Sequence, residues 1–129
     1  MAMIICANAI MIKAGKVLLT REGPDKRYYF PGGKVGDGES LRQTLHRELR
    51  EELDLQVTAS QMEPIFTITG PAYNQPQHVV TLNCFSVPTP TELHIGMEIH
   101  DYRWCTLEDA PLIAPVVMVA LQEHADIFE

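Results

Sequence analysis

Three glutamates in one short stretch are the residues best suited to catalysis in this chain of 129 residues. Residues 47–52 read Arg-Glu-Leu-Arg-Glu-Glu, so Glu48, Glu51 and Glu52 fall within about one turn of a helix. Carboxylates so close repel one another, and burying one without a partner is costly. A hard divalent cation removes both problems, because carboxylate oxygens suit Mg²⁺ or Mn²⁺. The alternative is a solvated acidic face paired with arginines, and the helix alone does not decide between them.

A glycine-rich loop precedes the glutamates. Gly32 and Gly33 directly follow a predicted strand, and Gly36 and Gly38 come soon after them. Glycine lets the backbone approach a ligand closely and leaves amide N–H groups free for anions. A phosphate-binding loop beside carboxylates that suit a metal favours an enzyme that cleaves a phosphoanhydride.

A helix over residues 41–53 must position the glutamates. Ser40 and Gln43 fit a capping box at its start. Good helix formers fill the interior, with no glycine or proline. One stripe is apolar and is expected to face the core; it consists of Leu41, Leu45, Leu49 and Leu53.

The other predicted elements surround this helix with strands. Strands are predicted over residues 4–12, 17–20, 28–30, 55–59, 64–69, 78–87 and 102–106, with loops over 70–77 and 88–96. A turn over 107–111 precedes a last helix, which begins at Pro115 and reaches about Glu123. Strands and helices mix without strict βαβ repetition, so we expect one α/β domain over residues 1–129 with helices packed against a mixed sheet.

Composition narrows the class of protein. The formal net charge of −7 argues against binding to a nucleic-acid polymer, which requires a basic patch. The apolar residues 1–12 follow no basic residue and are too short to span a bilayer, so we expect a core strand and no membrane association. Cys6, Cys84 and Cys105 lie far apart without a CxxC pair, which indicates reduced thiols and a cytoplasmic protein.

The spacing of these residues resembles the Nudix box, G-x5-E-x7-R-E-U-x-E-E-x-G-U, in which U is a bulky aliphatic residue. The matching residues here are Gly33, Glu39, Arg47, Glu48, Leu49, Glu51, Glu52 and, for the last U, Leu55. One position departs from the pattern, because Asp54 stands where the family usually has a glycine in a left-handed conformation. Asp tolerates that conformation better than most residues, so we expect the helix end to survive. The residues Phe30-Pro31 before the box, and Trp104 with Thr106-Leu107-Glu108 after it, extend the resemblance.

The resemblance implies an α/β/α sandwich around a mixed β-sheet and a metal-dependent hydrolase. Glu48, Glu51 and Glu52 would bind Mg²⁺, with Mn²⁺ as the alternative ion, with help from the Gly32 carbonyl. Arg47 would orient the glutamates, and Glu39 would be paired inside the motif. The metal would polarise a diphosphate and lower the pKa of a bound water, with Glu48 as the candidate base.

A further carboxylate from a distant loop often joins the metals in this family. Glu98 lies six residues before Trp104, a spacing like that of the branch that cleaves nucleoside triphosphates. Asp101 is the rival candidate. Either residue is alternatively an ordinary surface acid.

Substrate contacts are expected from the residues before and within the box. Arg21, Lys26 and Arg27 would neutralise phosphates, or remain solvated loop charges. Phe30, like its neighbour Tyr28, would stack on a base or pack in the core. The backbone from Gly33 onward would contact the anionic chain.

The sequence is compatible with three functions. The first is hydrolysis of a nucleoside triphosphate to the monophosphate and pyrophosphate. The second is cleavage of ADP-ribose or a dinucleoside polyphosphate; Pro71 and Tyr73, 16 and 18 residues past Leu55, resemble marks of those two branches and together decide nothing. The third, an inactive binding module, is disfavoured because all the box acids are present. The expected partner is a small-molecule nucleotide, and a homodimer is possible because dimers are common in the family.

Overall fold

Two β-sheets form the centre of the computed structural model, which describes residues 2–24, 26–72, 75–96, 99 and 101–128. The strands are β1 (Ala2–Ile10), β2 (Ile12–Lys13), β3 (Lys16–Arg21), β4 (Gly32–Lys34), β5 (Glu63–Ala72), β6 (Gln75–Ser86) and β7 (Asp101–Cys105). The helices are α1 (Leu41–Leu53), α2 (Pro115–Glu123) and α3 (Ala125–Phe128), with two 3-10 helices at Ala59–Gln61 and Leu107–Leu112.

The larger sheet is mixed, as the sequence predicts. Its strand order is β4-β1-β6-β5, in which β1 and β6 are parallel and the other neighbours are antiparallel. The smaller sheet, β2-β3-β7, is antiparallel throughout.

Helices cover both faces of the larger sheet, which gives the expected three layers. Side chains alternate between the faces of a strand. On β1, Ala7 and Ala9 pack with the leucines of α1, whereas Ile10 belongs to the core cluster that contains α2. On β6, Phe85 faces α1 and Leu82 faces α2 in the same way.

Helix α1 has the bounds and the caps that the sequence predicts. The Ser40 side chain accepts from the Gln43 N–H, and the Gln43 side chain accepts from the Ser40 N–H, which completes the capping box. Leu45, Leu49 and Leu53 are fully buried. Asp54 takes the left-handed conformation with φ 53° and ψ 39°, and its N–H donates to the Arg50 carbonyl, so the helix end survives without the usual glycine.

Two predicted elements are wrong. Residues 55–59 form no strand. The Gln61 side chain accepts a hydrogen bond from the Thr58 N–H at the start of the 3-10 helix. This local bond takes the place of a backbone hydrogen bond to a neighbouring strand. The described residues of the predicted loop over 70–77 are strand, because β5 continues through Pro71 to Ala72 and β6 begins at Gln75. Strand β5 is the edge of its sheet, where the missing N–H of a proline is tolerated.

The remaining predicted elements are present with shifted ends, except the predicted strand over 28–30. The loop over 88–96, the strand near 102–106 and the last helix from Pro115 to Glu123 are present. Of the run 28–30, only Tyr28 and Tyr29 form isolated bridges. All three cysteines are free, and within the described ranges no helix is long and apolar enough to cross a membrane.

Candidate active site

Strand β4 lies against the C-terminal half of α1 and brings the glycine pair to the glutamates. The Gly32 N–H donates to Oε1 of Glu52 over 3.2 Å. Gly32 has φ +139°, and a Cβ there would overlap the carbonyl oxygen of Ala7 on β1. Only glycine therefore fits at the point where β4 meets both β1 and the Glu52 carboxylate.

Gly33 leaves room for the Glu48 carboxylate. A Cβ at Gly33 would lie 2.7 Å from Cδ of Glu48 and 2.9 Å from each of its carboxylate oxygens. The Glu48 side chain is only 14% exposed. The two glycines thus hold Glu48 and Glu52 close to the same short strand.

Arg47 connects the acids of the motif. Its Nη1 donates to Glu48 over 2.8 Å and to Glu51 over 3.3 Å. Its Nε and Nη2 donate to the two oxygens of Glu39 over 2.8 and 2.9 Å. The bonds to Glu39 and then to Glu48 raise the pKa of Arg47. The guanidinium therefore fixes Glu48 and Glu51 relative to the loop that carries Glu39, which is the orienting geometry expected from the resemblance.

Glu39 is held ionised by its donors. Besides Arg47, it accepts from the Thr44 hydroxyl and from the Gly36 N–H, each over 3.0 Å. These bonds, that to Arg47 first, lower the pKa of Glu39 from the ordinary 4.5 to about 2. A carboxylate with this many donors fastens the glycine loop to α1.

The lowered pKa of Glu39 predicts a pH dependence of stability. A depressed pKa in the folded state means that the stabilisation is complete above the unfolded value near 4.5 and is lost as the pH falls towards about 2. We expect Glu39→Gln to destabilise the protein by a constant amount at neutral pH and by a shrinking amount below about pH 4.5. Urea unfolding of both proteins from about pH 3 to about pH 7 measures this, with the exposed Glu63→Gln as control. A difference that does not change with pH would contradict the assignment.

The donor atoms of this region fit a hard divalent cation. Glu48, Glu51 and Glu52 supply carboxyl oxygens, and Glu52 is only 6% exposed. Across the residues that the structure describes, no three His, Cys, Asp or Glu side chains are gathered closely enough to hold a metal ion. Arg47 contacts two of the glutamates and Gly32 the third, so side-chain rotation from these positions is needed to surround one ion.

A cleft of about 270 Å³ opens beside Glu52. It brings together seven of the residues that the sequence singled out for the metal or the substrate: Arg21, Lys26, Arg27, Phe30, Gly32, Gly33 and Glu52. Asn8, Tyr29 and Lys34 also line it, and the sequence did not assign them to the site. One signal was available, because Asn8 interrupts an apolar strand at a position of the buried face.

Arg21 and Asp101 bind each other across β3 and β7. Arg21 Nε and Nη2 donate to the two oxygens of Asp101 over 2.7 and 3.0 Å, and its guanidinium lies 4.9 Å from the centre of the Tyr28 ring. The bond to Asp101 raises the pKa of Arg21. This geometry disfavours both Arg21 as a free phosphate ligand and Asp101 as a metal ligand, because each already has a bidentate partner.

Glu98, the predicted distant carboxylate, lies outside the described residues. The chain before it reaches the end of α1, where the Gly96 N–H donates to the Glu52 carbonyl over 2.6 Å. A Cβ at Gly96 would overlap the Glu51 carbonyl oxygen. Ile99 is buried and lines the cleft.

Phe30 is mainly a core residue. It is 1% exposed, and its ring is stacked on Phe128 with centroids 6.2 Å apart, which leaves no open face for a base. Tyr28 is buried beneath Arg21. Tyr29, which is half-buried, also lines the cleft and is more exposed than Phe30. Phe30 and Tyr28 therefore pack in the core, which is the second of the two roles that the sequence allowed for them.

Gly33→Ala is predicted to impair turnover through Glu48. The new methyl group would force the Glu48 carboxylate out of its position, and misplacement by about 1 Å lowers rates roughly ten- to a hundredfold. Gly70→Ala is the matched control, because its methyl would press on Val116 at 3.1 Å and Gly70 does not line the cleft. We expect Gly70→Ala to lower the melting temperature and leave kcat unchanged. Equal kcat for Gly33→Ala and the wild type would contradict the prediction that turnover depends on the space that Gly33 leaves for the Glu48 carboxylate.

Known proteins share this sequence pattern and this fold. The NUDIX domain family matches residues 4–123. The CTP pyrophosphohydrolase of Escherichia coli (strain K12) is 31% identical over 117 residues, which cover 85% of this chain and 81% of that protein. The solution structure of the E. coli ORF135 protein has a TM-score of 0.66 at 30% identity and covers 95% of this chain and 92% of that chain.

A third similarity concerns the fold alone. The crystal structure of the MutT protein from Methanosarcina mazei Go1 superposes with a TM-score of 0.73 at 20% identity, over 95% of this chain and 92% of that chain. The family match spans nearly all of the chain and includes the glycine loop, α1 and the glutamates. This chain belongs to the Nudix hydrolase family.

Proposed function

We propose that this enzyme hydrolyses a nucleoside triphosphate to the monophosphate and pyrophosphate, with CTP as the first candidate. The observation that carries the proposal is the cleft, which places an apolar sheet surface directly beside Glu52 and the glycine pair. A nucleotide needs both environments, one for its base and one for its phosphates. The substrate in the name of the E. coli relative supports the choice of CTP.

Glu48, Glu51 and Glu52, with the Gly32 carbonyl, are the residues that we assign to Mg²⁺ or Mn²⁺. When bound, the ion supplies charge neutralisation at the diphosphate and a water of lowered pKa. Glu98 is proposed as the further ligand, supported by the bond from Gly96 to the Glu52 carbonyl that brings the chain before it to α1.

The other residues of the cleft bind and orient the substrate. Lys26 and Arg27 line its charged side, where they would neutralise phosphate oxygens. The Gly33 backbone adds contacts along the same anionic chain. Glu48 lies against Gly33 and is the candidate to accept a proton from the attacking water. Arg47 acts through Glu48 and Glu51 and is a positioning residue.

A nucleotide panel tests the proposed function. CTP, the other nucleoside triphosphates, ADP-ribose and a dinucleoside polyphosphate are incubated with enzyme and Mg²⁺, and the products are separated. We expect CTP to give CMP and pyrophosphate in equal amounts, with higher kcat/KM than the two conjugates. Preferred cleavage of ADP-ribose or of the dinucleoside polyphosphate would replace this proposal with the second function that the sequence left open. Pro71 lies in β5 and does not line the cleft, and Tyr73 lies outside the described residues.

A further inference from the structure

Asn8 carries a buried hydrogen-bond acceptor on the wall of the cleft. The residue is 3% exposed and lines the cleft from β1. Its Nδ2 donates to the Phe30 carbonyl over 3.0 Å. Its Oδ1 is buried and has no hydrogen-bond partner among the residues that the structure describes.

The bond to Phe30 determines which atom of the amide remains available. A carbonyl can only accept, so the amide nitrogen of Asn8 must face Phe30 and the oxygen must face away from it. A buried acceptor without a donor destabilises the folded protein, and folded proteins rarely leave one. A donor on a bound ligand would recover that cost.

The surroundings of Asn8 define the part of the ligand that reaches it. Ile4 and Cys6 precede it on the same face of β1, and the register pairs them with Val80 and Leu82 of β6. All four line the cleft and make its floor apolar. Such a floor favours the flat ring of a base over a charged phosphate, which would lose its hydration there.

We propose that Asn8 Oδ1 accepts a hydrogen bond from the exocyclic amino group of the substrate base, so that the cleft selects cytosine over uracil. Uracil presents a carbonyl oxygen where cytosine has the amino group, and two acceptors would then face each other. The inference rests on the proposed function and specifies which base the cleft takes.

The test compares Asn8→Ala with Asn83→Ala. Asn83 is the matched control, because it lies on the neighbouring strand with its side chain on the opposite face, where it donates to the Cys6 carbonyl and does not line the cleft. We measure kcat/KM for CTP and UTP with Mg²⁺, and melting curves confirm that each variant folds. We expect the wild type and Asn83→Ala to prefer CTP by at least about tenfold, and Asn8→Ala to lose the preference to within about threefold, mainly through lower activity on CTP.

Binding of CMP and UMP in excess EDTA separates this inference from the proposed function. Monophosphates have no diphosphate bridge, so their affinities report on the base site even if no triphosphate is hydrolysed. Tighter binding of CMP that disappears in Asn8→Ala would support the inference, whatever the reaction. Equal binding of the two monophosphates by the wild type would overturn it. An equal loss of affinity for CMP and UMP in Asn8→Ala would also overturn it. That result would indicate a structural role of Asn8 or an ordered water on Oδ1, neither of which discriminates between the bases.

Discussion

Glu52→Gln is expected to lower kcat by at least about a hundredfold and to leave the fold intact. The amide has the shape of the carboxylate, and its oxygen can still accept from the Gly32 N–H at the distance now seen for Glu52. It lacks the negative charge that a divalent cation would require of this proposed ligand. Removing one of three neighbouring carboxylates also relieves repulsion, so the melting temperature without metal should stay the same or rise.

Glu51→Gln is expected to behave in the same way, although Glu51 is more exposed and bonds to Arg47. Both variants are compared with Glu63→Gln, an exposed acid on β5. Values of kcat at saturating Mg²⁺ and melting temperatures in EDTA separate loss of chemistry from loss of fold. Wild-type kcat in Glu52→Gln at saturating Mg²⁺ would refute its assignment to the metal.

A nucleoside triphosphate is expected to exceed a nucleoside monophosphate or p-nitrophenyl phosphate by on the order of a thousandfold in kcat/KM, about 4 kcal/mol of transition-state binding. Glu48, Glu51 and Glu52 would hold a cation beside the glycine loop, and that cation would neutralise charge on the substrate phosphates and on the departing phosphate. A monoester loses both the chelate and the good leaving group.

The comparison with monoesters is made at equal Mg²⁺, with kcat/KM taken from initial rates. The Gly33→Ala variant serves as an internal check, because the substitution should lower kcat/KM more for the triphosphate than for the monoester. Comparable kcat/KM values for the two substrate classes in the wild type would identify a general phosphatase.

Local sequence signals predicted α1 and the motif correctly because those interactions are short in sequence. The capping box of Ser40 and Gln43 spans four residues, and the leucine stripe follows the helical period. Arg47 and Glu39 are only eight residues apart, so the box spacing itself brings them together. Asp54 could be assigned to the left-handed conformation because its backbone preference is local.

Which residues line the cleft depends on contacts between distant parts of the chain. The spacing of residues in the sequence does not show these contacts. Arg21 and Asp101 are 80 residues apart, and only the pairing of β3 with β7 shows that they bind each other. Phe30 and Tyr29 are neighbours with opposite roles, because the core contact of Phe30 comes from Phe128 in α3. Pro71 indicated a loop by its local preference, whereas the position of β5 at a sheet edge accommodates it in a strand.

Metal-dependent cleavage of a diphosphate bridge is tested most directly by turnover of CTP with metal-stripped enzyme. Pyrophosphate and CMP are counted in excess EDTA, and again after Mg²⁺ is added back beyond the chelator. We predict no turnover above background in EDTA, and full recovery with Mg²⁺, with one pyrophosphate for each CMP. Undiminished turnover in excess EDTA would contradict the assignment of Glu48, Glu51 and Glu52 to a catalytic metal.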